Sequence, residues 1–527
     1  MTHRGENEKV AKAAGVVGLA TMLSRIFGFI RDMVVATYFG AGIATDAFFV
    51  AFRIPNLLRR LLGEGSLTVA FIPVFTEYLK NKSKESALEL ASIALTLLSI
   101  ILVLVSLLGV AFTPLIVSLM APGFIKNPAQ FDLAVFLTRF MFPYIFFISL
   151  VALCMGILNS LRHFAAPALS PVVLNIAMIL SVLFLHRYFE QPITSLAVGV
   201  MLGGVLQLAM QWPFMLKMGA RLKPNFHFQH PGMKKIGRLL VPTLVGSGIY
   251  QINIFIGTIL ASLLPKGSVS FLYYADRVVE LPLGVFAIAV GTASLPSFSA
   301  QVARGLFDEF KKTLSFSLRL ILFITIPATV ALIALREPIV SVLFQHGAFK
   351  AYSTIMTAQA LLYYTLGLWA FSVIRVIDSA FFSLQDRKSP LKAAFVSLLV
   401  NVGLSILLMY PLKHGGLALA TSVASAANVL MLSFILKKKI GTFLDQKFYS
   451  SLGKTTVASL LMGISFYLVH LVFPWNIEAS IETRATFLSA CVIAGILTFF
   501  GSSFLLKSEE IASLLNVLRR KLKRSSS

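Results

Sequence analysis

Residues 13–36 read AAGVVGLATMLSRIFGFIRDMVVA, and the fold turns on how this stretch is read. It is long and apolar enough to cross a bilayer core, which takes roughly 20 helical residues, yet it carries Arg25, Arg31 and Asp32. A charge at mid-bilayer costs about 2.5–3.5 kcal/mol even on the mild insertion scales, so such residues face a protein interior or a water-filled cavity. The stretch therefore predicts a membrane helix with a charged inner face, and the rest of the chain must build the interior that receives it.

The rest of the chain can. Of 527 residues, 57% are hydrophobic and 13% charged, against about a quarter charged in a soluble domain. That balance excludes a water-soluble enzyme, a disordered chain and a fibrous protein. Hydropathy predicts an all-α polytopic membrane protein with fourteen spans, near 13–36, 45–62, 88–119, 131–157, 165–186, 193–216, 237–263, 268–299, 313–335, 352–381, 391–411, 415–436, 452–473 and 485–506. Several exceed one crossing, so tilt or a break is expected in them. The run from Ser66 to Tyr78 is too short to cross again and reads as a bent continuation of the second span or an interfacial helix. No cleavable signal sequence is visible at the N-terminus.

Charge gives the orientation. The 46 Lys+Arg against 22 Asp+Glu leave a net +24, which in a soluble protein would suggest nucleic acid. Alternating the loops from a cytoplasmic N-terminus places thirty basic residues on the cytoplasmic side. Seven lie opposite: Lys126, Arg187, Lys266, Arg336, Lys350, Lys413 and Arg484. This asymmetry follows the positive-inside rule and puts both termini in the cytoplasm, so nucleic acid is not needed to explain the charge. The remaining nine are arginines within spans: Arg25, Arg31, Arg53, Arg59, Arg60, Arg139, Arg277, Arg319 and Arg375. Arg59, Arg60 and Arg319 could snorkel from span ends; Arg25, Arg31, Arg53 and Arg277 are poorly placed to do so.

A faint repeat organises the spans. Ala70-Phe71-Ile72-Pro73-Val74-Phe75-Thr76 and Ala293-Ser294-Leu295-Pro296-Ser297-Phe298-Ser299 share the pattern A-x-[IL]-P-x-F-[ST], 223 residues apart. Six spans per repeat is an even number, so both halves start on the same side. This is a parallel pseudo-two-fold repeat of the kind that places a transporter's substrate site between its halves. The expected organisation is an N-lobe at 10–225, a C-lobe at 230–440, an appended pair at 452–506 and a tail at 508–527. That tail ends Arg519-Arg520-Lys521-Leu522-Lys523-Arg524, with Ile511, Leu514, Leu515, Leu518 and Leu522 at helical spacing, a basic amphipathic pattern suited to the anionic inner leaflet.

The candidate site is the charge in the first two spans. Arg25 and Asp32 are seven apart and share a helical face, with Arg31 about 120° from Arg25 and Gly28 between them permitting close approach or bending. On the second span Asp46, Arg53 and Arg60 recur every seven residues as one stripe interrupted by Pro55, and Glu64 follows Arg60 at i+4. In the second half, Tyr273 and Tyr274 precede Asp276-Arg277 and Glu280. Arginine's permanent charge and forked donors suit buried phosphate recognition, and several of them between two lobes would suit a diphosphate. The competing reading is internal scaffolding, with Arg25–Asp32, Arg60–Glu64 and Arg277–Glu280 neutralising one another. Five arginines face three acids in these two spans, an excess that calls for an anion.

Other signals are bland. Cys154 and Cys491 lie in apolar runs and read as buried thiols. His186, His346 and His414 are scattered near loops, and His227 and His230 read as solvated. Neither a metal-binding cluster nor a phosphate loop is present, so no cofactor is expected and ATP is not an internal energy source. Asp378 with Arg375 at i−3 reads as a structural pair, with a proton or cation role as the alternative.

Ser24-Arg25-Ile26-Phe27-Gly28-Phe29-Ile30-Arg31-Asp32, Phe39-Gly40-Ala41-Gly42, Thr45-Asp46-Ala47-Phe48-Phe49-Val50-Ala51-Phe52, Pro55-Asn56-Leu57-Leu58-Arg59-Arg60 and Glu64-Gly65 resemble the MurJ (MviN) family. These are the lipid II flippases of bacterial peptidoglycan synthesis, within the multidrug/oligosaccharidyl-lipid/polysaccharide exporter superfamily. Tyr273-Tyr274-Ala275-Asp276-Arg277 and Gln345-His346-Gly347-Ala348-Phe349 continue the resemblance, which covers essentially the whole chain. It implies a V-shaped pair of six-helix lobes around a cationic cavity, with the last two spans forming a groove for the polyprenyl tail. The family's essential cavity arginines fall on Arg25, Arg31 and Arg277, and its acidic positions on Asp32 and Asp46. Arg59, Arg60 and Glu64 fall on the cytoplasmic half of the second span, and Arg53 stands where the family carries a lysine or arginine. Sodium coupling through a carboxylate of the seventh span is in doubt, because residues 237–263 hold no Asp or Glu.

The expected function is therefore a flippase of the bacterial cytoplasmic (inner) membrane, moving lipid II by alternating access without enzymatic chemistry. Its expected partners are lipid II and membrane lipids, with cell-wall synthesis proteins as candidates, and it is expected to act as a monomer. The alternatives are an exporter of another anionic lipid-linked oligosaccharide or small molecule with the same fold, and a membrane-embedded lipid-phosphate enzyme. The missing acidic metal cluster disfavours the enzyme.

Overall fold

A computed structural model describes residues 3–58 and 67–511, and among them every regular element is helical. The first ten helices are α1 His3–Phe39, α2 Ile43–Leu58, α3 Leu67–Asn81, α4 Lys84–Ala111, α5 Thr113–Met120, α6 Pro128–Met141, α7 Tyr144–Ser160, α8 Ala165–Leu185, α9 Thr194–Lys217 and α10 Pro231–Ser262. The next ten are α11 Ser268–Pro282, α12 Ile288–Ala303, α13 Phe307–Ala334, α14 Arg336–Phe344, α15 Ala351–Thr365, α16 Leu368–Ser383, α17 Lys388–Leu412, α18 His414–Ile440, α19 Gln446–Val472 and α20 Ile481–Leu505. Among the described residues nine helices are long and apolar enough to cross a membrane, or ten with the bent pair α15–α16 taken as one. The chain is an all-helical polytopic membrane protein.

Local chemistry sets the helix ends. Ser83, Asp445 and Ser480 accept from backbone N–H groups in the first turns of α4, α19 and α20, the usual use of short polar side chains at N-caps. His230 does the same for α10, accepting from the Gly232 amide. It is therefore a helix cap rather than the solvated loop residue its polar surroundings suggest. Gly40 follows α1 at φ +64° and Gly441 follows α18 at φ +81°, left-handed positions that glycine occupies without strain. The long apolar runs break as their length requires: between α4 and α5 at Phe112, between α6 and α7 beside Pro143, and between α11 and α12 through a π-turn at Leu283–Ala287 that follows Pro282. The described part of the run from Ser66 to Tyr78 lies in helix α3, which begins at Leu67.

The chain divides into two compact units, Met1–Ser270 and Phe271–Ser527. This division differs from the lobe boundary drawn near 230 in the sequence, because α10 packs with α3, α4 and α5 inside the first unit. In that unit α8 lies between α1 and α9. A Cβ on Gly199 would come within 2.7 Å of the Met178 Cα, so the α8–α9 crossing depends on a missing side chain. Gln207 and Gln211 then donate from α9 to the Ser170 and Ala166 carbonyls of α8. Phe71, Phe75 and Tyr78 of α3 fill a core with Leu90, Leu153, Cys154 and Met215. In the second unit Phe298 of α12 packs with Phe310, Ile321, Val376 and Phe381, while α19 and α20 join α13 around Phe323, Phe466, Phe487 and Cys491. Both cysteines are free and buried. Outward faces are apolar, as lipid demands: Phe184 and Leu407 are 68% and 67% exposed.

Helix positions repeat. α4, α5, α6 and α8 begin at 84, 113, 128 and 165, and α13, α14, α15 and α17 begin at 307, 336, 351 and 388, so each start lies 223 residues after its counterpart. Phe75 and Phe298, at matching places in the seven-residue motif, are both fully buried, while Pro73 and Pro296 both face outward.

Between α16 and α17, Asp386 pairs with Lys439 of α18 at 2.8 Å and accepts from the Ser389 hydroxyl and the Lys388 and Ser389 amides. Partial burial pushes this carboxyl up, but the bonds from Lys439 and Ser389 outweigh it and hold it well below the usual carboxylate range. A depressed carboxyl stabilises the fold above its unfolded value of about 3.9, and that contribution fades as pH falls through the folded value. Asp386→Asn should therefore lower Tm at pH 7, with the difference from wild type shrinking below about pH 4. Parallel melting curves across that range check it, and a gap that persists at acid pH would refute the ion-pair origin.

Candidate functional site

The first cluster of charge sits on α1 against α8. Arg31 donates through Nε and Nη2 to Asp32 Oδ1 at 3.0 and 2.6 Å, and through Nη1 to Asn175 Oδ1 of α8 at 3.0 Å. Asn175 in turn donates to the Ser24 carbonyl. The two ionic side chains are 12% and 3% exposed. Gly28 lies against this contact, where a Cβ would meet the Asn175 amide at 3.4 Å, an ordinary van der Waals distance. The shared face of Arg25 and Asp32 does not become an ion pair. Seven residues along a helix is about 10.5 Å of rise, whereas the neighbouring Arg31 can fold back onto Asp32. Arg25 stays exposed and takes no ion pair among the described residues.

Asp46 lies in the first turn of α2 and is 2% exposed. Its Oδ2 accepts from the Gly267 amide at 2.6 Å, and its Oδ1 accepts from the Ser270 amide at 2.8 Å and the Ser270 hydroxyl. A carboxylate here satisfies amides at the start of α11, which a helix N-terminus leaves unpaired and partly positive. Asp46 thus holds backbone in place, with both oxygens engaged. Arg53, on the same stripe, crosses from α2 to α10, where Nη1 donates to the Thr258 hydroxyl and reaches the Ile254 carbonyl at 3.4 Å. Arg59, Arg60 and Glu64 lie outside the described residues.

The second unit has its own cluster. Arg277 donates to Glu280 at 2.6 Å and to the Tyr273 hydroxyl at 3.2 Å, with its guanidinium 4.8 Å from the centroid of that ring. Its side chain is 28% exposed and its partner's 48%, so an entering anion could compete for it. The Arg277–Glu280 pairing named in the competing scaffold reading is present.

Arg319 departs from expectation. Instead of snorkelling from a span end it is 9% exposed and pairs with Glu509 at 2.8 Å and Glu510 at 3.4 Å, beyond α20. Glu510 is 1% exposed and also accepts from Ser451 and Ser508. The start of the tail is thereby locked onto α13 and α19. Residues 512–527, where the basic amphipathic pattern falls, lie outside the described residues. Sequence reasoning missed this lock because its acids lie 190 residues from the arginine. His414 is buried and its Nε2 meets the Met356 carbonyl. No group of three or more metal-ligating side chains occurs among the described residues.

Similarity to known proteins runs along almost the whole chain. The family profile described as "Lipid II flippase MurJ" matches residues 35–485. A probable lipid II flippase MurJ of Buchnera aphidicola subsp. Acyrthosiphon pisum is 37% identical over 485 residues, covering 92% of this chain and 95% of that protein. The Vibrio cholerae counterpart is 34% identical over 95% of this chain and 97% of its own length. The solved structure of a lipid II flippase MurJ in an inward closed conformation superposes with a TM-score of 0.81 at 31% identity, over 94% of this chain and 99% of that one. An inward-facing multidrug resistance transporter of the MATE family and MOP superfamily shares the fold at a TM-score of 0.62 and 16% identity, over 82% of this chain and 98% of its own.

Proposed function

The chain belongs to the MurJ family of lipid II flippases, and from that premise we propose that it carries lipid II, the undecaprenyl-diphosphate-linked peptidoglycan precursor, from the inner to the outer leaflet of the bacterial cytoplasmic membrane. The observation carrying this reading is the family match at 37% identity over 92% of the chain. The role is in transport for cell-wall synthesis, with no bond made or broken.

Fourteen crossings with both ends cytoplasmic are part of the proposal. Each of the fourteen apolar segments has a helix over at least part of its described residues, and the basic residues divide thirty to seven between the two sides. Two parallel six-span repeats are supported by the 223-residue spacing of helix starts, and α19–α20 would form the groove for the polyprenyl tail. Arg25 and Arg31 of the first unit and Arg277 of the second would bind the diphosphate. Arg25 offers an exposed cation. Arg31 and Arg277 are held by Asp32 and Glu280, carboxylates that a phosphate can displace or share. Asp46 and Arg53 would act by positioning, since their contacts run to backbone and to α10. Arg59, Arg60 and Glu64 are proposed to line the cytoplasmic half of the second span.

Alternating access requires binding energy that differs between the inward and outward states. The sugar-pentapeptide headgroup would enter from the cytoplasm while the tail stays in lipid. A multidrug exporter would need an acidic or aromatic cavity for organic cations, and the arginine excess argues against it. Topology-resolved labelling of lipid II in cells depleted of this protein tests the reading: outer-leaflet lipid II should disappear, and an unchanged outer pool would overturn it.

A further inference from the structure

A cavity of about 470 Å³ opens within the second unit where α14 ends and α15 and α20 begin. Its lining includes Gln345, His346, Lys350, Tyr352, Glu478 and Arg484. Arg484 is the unusual member. It is 8% exposed, its Nη1 donates to the Ser341 hydroxyl at 2.7 Å, and its Nε is buried with no hydrogen-bond partner. Among the described residues it has no carboxylate within ion-pair distance. A guanidinium carries five donors, and a buried cation without a counter-charge is strongly disfavoured unless something else supplies one.

Three further features point to what supplies it. Lys350 stands at the N-cap of α15 with no side-chain cap, so the positive end of that fifteen-residue helix faces the cavity through Ala351 and Tyr352. The wall behind Arg484 is rigid: Gln345 donates to the Ile477 carbonyl and accepts from Ser341 and Thr354, tying α14, α15 and the α19–α20 connection together. Lys350 and Arg484 are also two of the seven basic residues on the side that the positive-inside rule keeps poor in them. One acid, the exposed Glu478, stands against these two cations.

We propose that this cavity is an anion site taking a phosphate group at the outer surface of the membrane, with Arg484 as its buried anchor and Lys350 at its rim. The volume holds a phosphate together with several waters at about 30 Å³ each. Tyr352 in its wall suits an interfacial depth. The phosphate can come from a lipid headgroup or from solution. The outer location rests on the orientation proposed above; the binding itself does not.

The full chain in phosphatidylcholine nanodiscs is melted with inorganic phosphate against chloride at matched ionic strength. Native mass spectrometry then counts lipids retained from nanodiscs containing phosphatidylglycerol. Stabilisation by phosphate assigns a soluble anion, and a retained phosphatidylglycerol assigns a lipid headgroup. Either result should weaken roughly tenfold in Arg484→Gln and in Lys350→Gln. Lys350 is exposed and makes no structural bond comparable to Arg484's, so its variant keeps the test valid if Arg484→Gln fails to fold. Neither probe binding, or unchanged binding in whichever variant folds, overturns the proposal. Lipid II translocation by Lys350→Gln is measured alongside, so failure of the anion site and failure of the flippase reading remain distinguishable.

Discussion

Arg277→Ala is expected to abolish lipid II translocation while the protein still accumulates in the membrane at wild-type levels. Its partner Glu280 is about half exposed and can rehydrate when the arginine is gone, so the fold loses little. What is lost is a forked, permanently charged donor for diphosphate. Charged hydrogen bonds contribute about 1.5–3 kcal/mol, or roughly ten- to 150-fold in affinity. Arg31→Ala should be equally inactive but less clean, because it leaves Asp32 buried without its counter-ion, a change that costs about 3–5 kcal/mol. Arg31→Lys separates the effects: it keeps the charge beside Asp32 and removes the bidentate fork, so stability should recover and translocation should not. Complementation of a depletion strain, with headgroup topology and membrane abundance measured together, checks all three. Wild-type translocation by Arg277→Ala would sink the assignment.

Asp46→Ala is expected to do the reverse, costing folded protein before it costs transport. The substitution strips acceptors from the Gly267 and Ser270 amides and the Ser270 hydroxyl in a buried setting, and each orphaned donor costs about 1–3 kcal/mol. A total of about 3–5 kcal/mol is large beside the net stability of most folds. Asp46→Asn should fall between, because one face of the amide still accepts while the other presents a donor to a donor. Thermal unfolding in detergent, compared with Arg277→Ala, is the measurement. A normal Tm in an inactive Asp46→Ala protein would make Asp46 a substrate contact instead of a positioning residue.

These two predictions differ because of contacts that sequence patterns reach unevenly. Hydropathy locates the helices well, since lipid leaves no other way to satisfy backbone over long apolar runs; α8, α9 and α17 start within a few residues of the expected spans. Short-range pairs such as Arg277–Glu280 follow from helical spacing. Face-sharing alone misled for Arg25 and Asp32, because periodicity reports direction around a helix and ignores distance along it. The anchors of Asp46 in Gly267 and Ser270, of Arg53 in Thr258, and of Arg319 in Glu509 lie 190 to 224 residues away in sequence. No local pattern encodes such partners; only the packing of the folded chain selects them.

The even spacing of helix starts bears on the history of the molecule. Connections between helices are ordinarily where chains gain and lose residues. Yet α4, α5, α6 and α8 stand in step with α13, α14, α15 and α17 to the residue, while the visible sequence likeness, the seven-residue motif, lies beside these series in α3 and α12. A single unbalanced insertion in the intervening turns would have put the two series out of step. What these four pairs hold in common is where the helix begins, as though a frame were kept while its fittings differ.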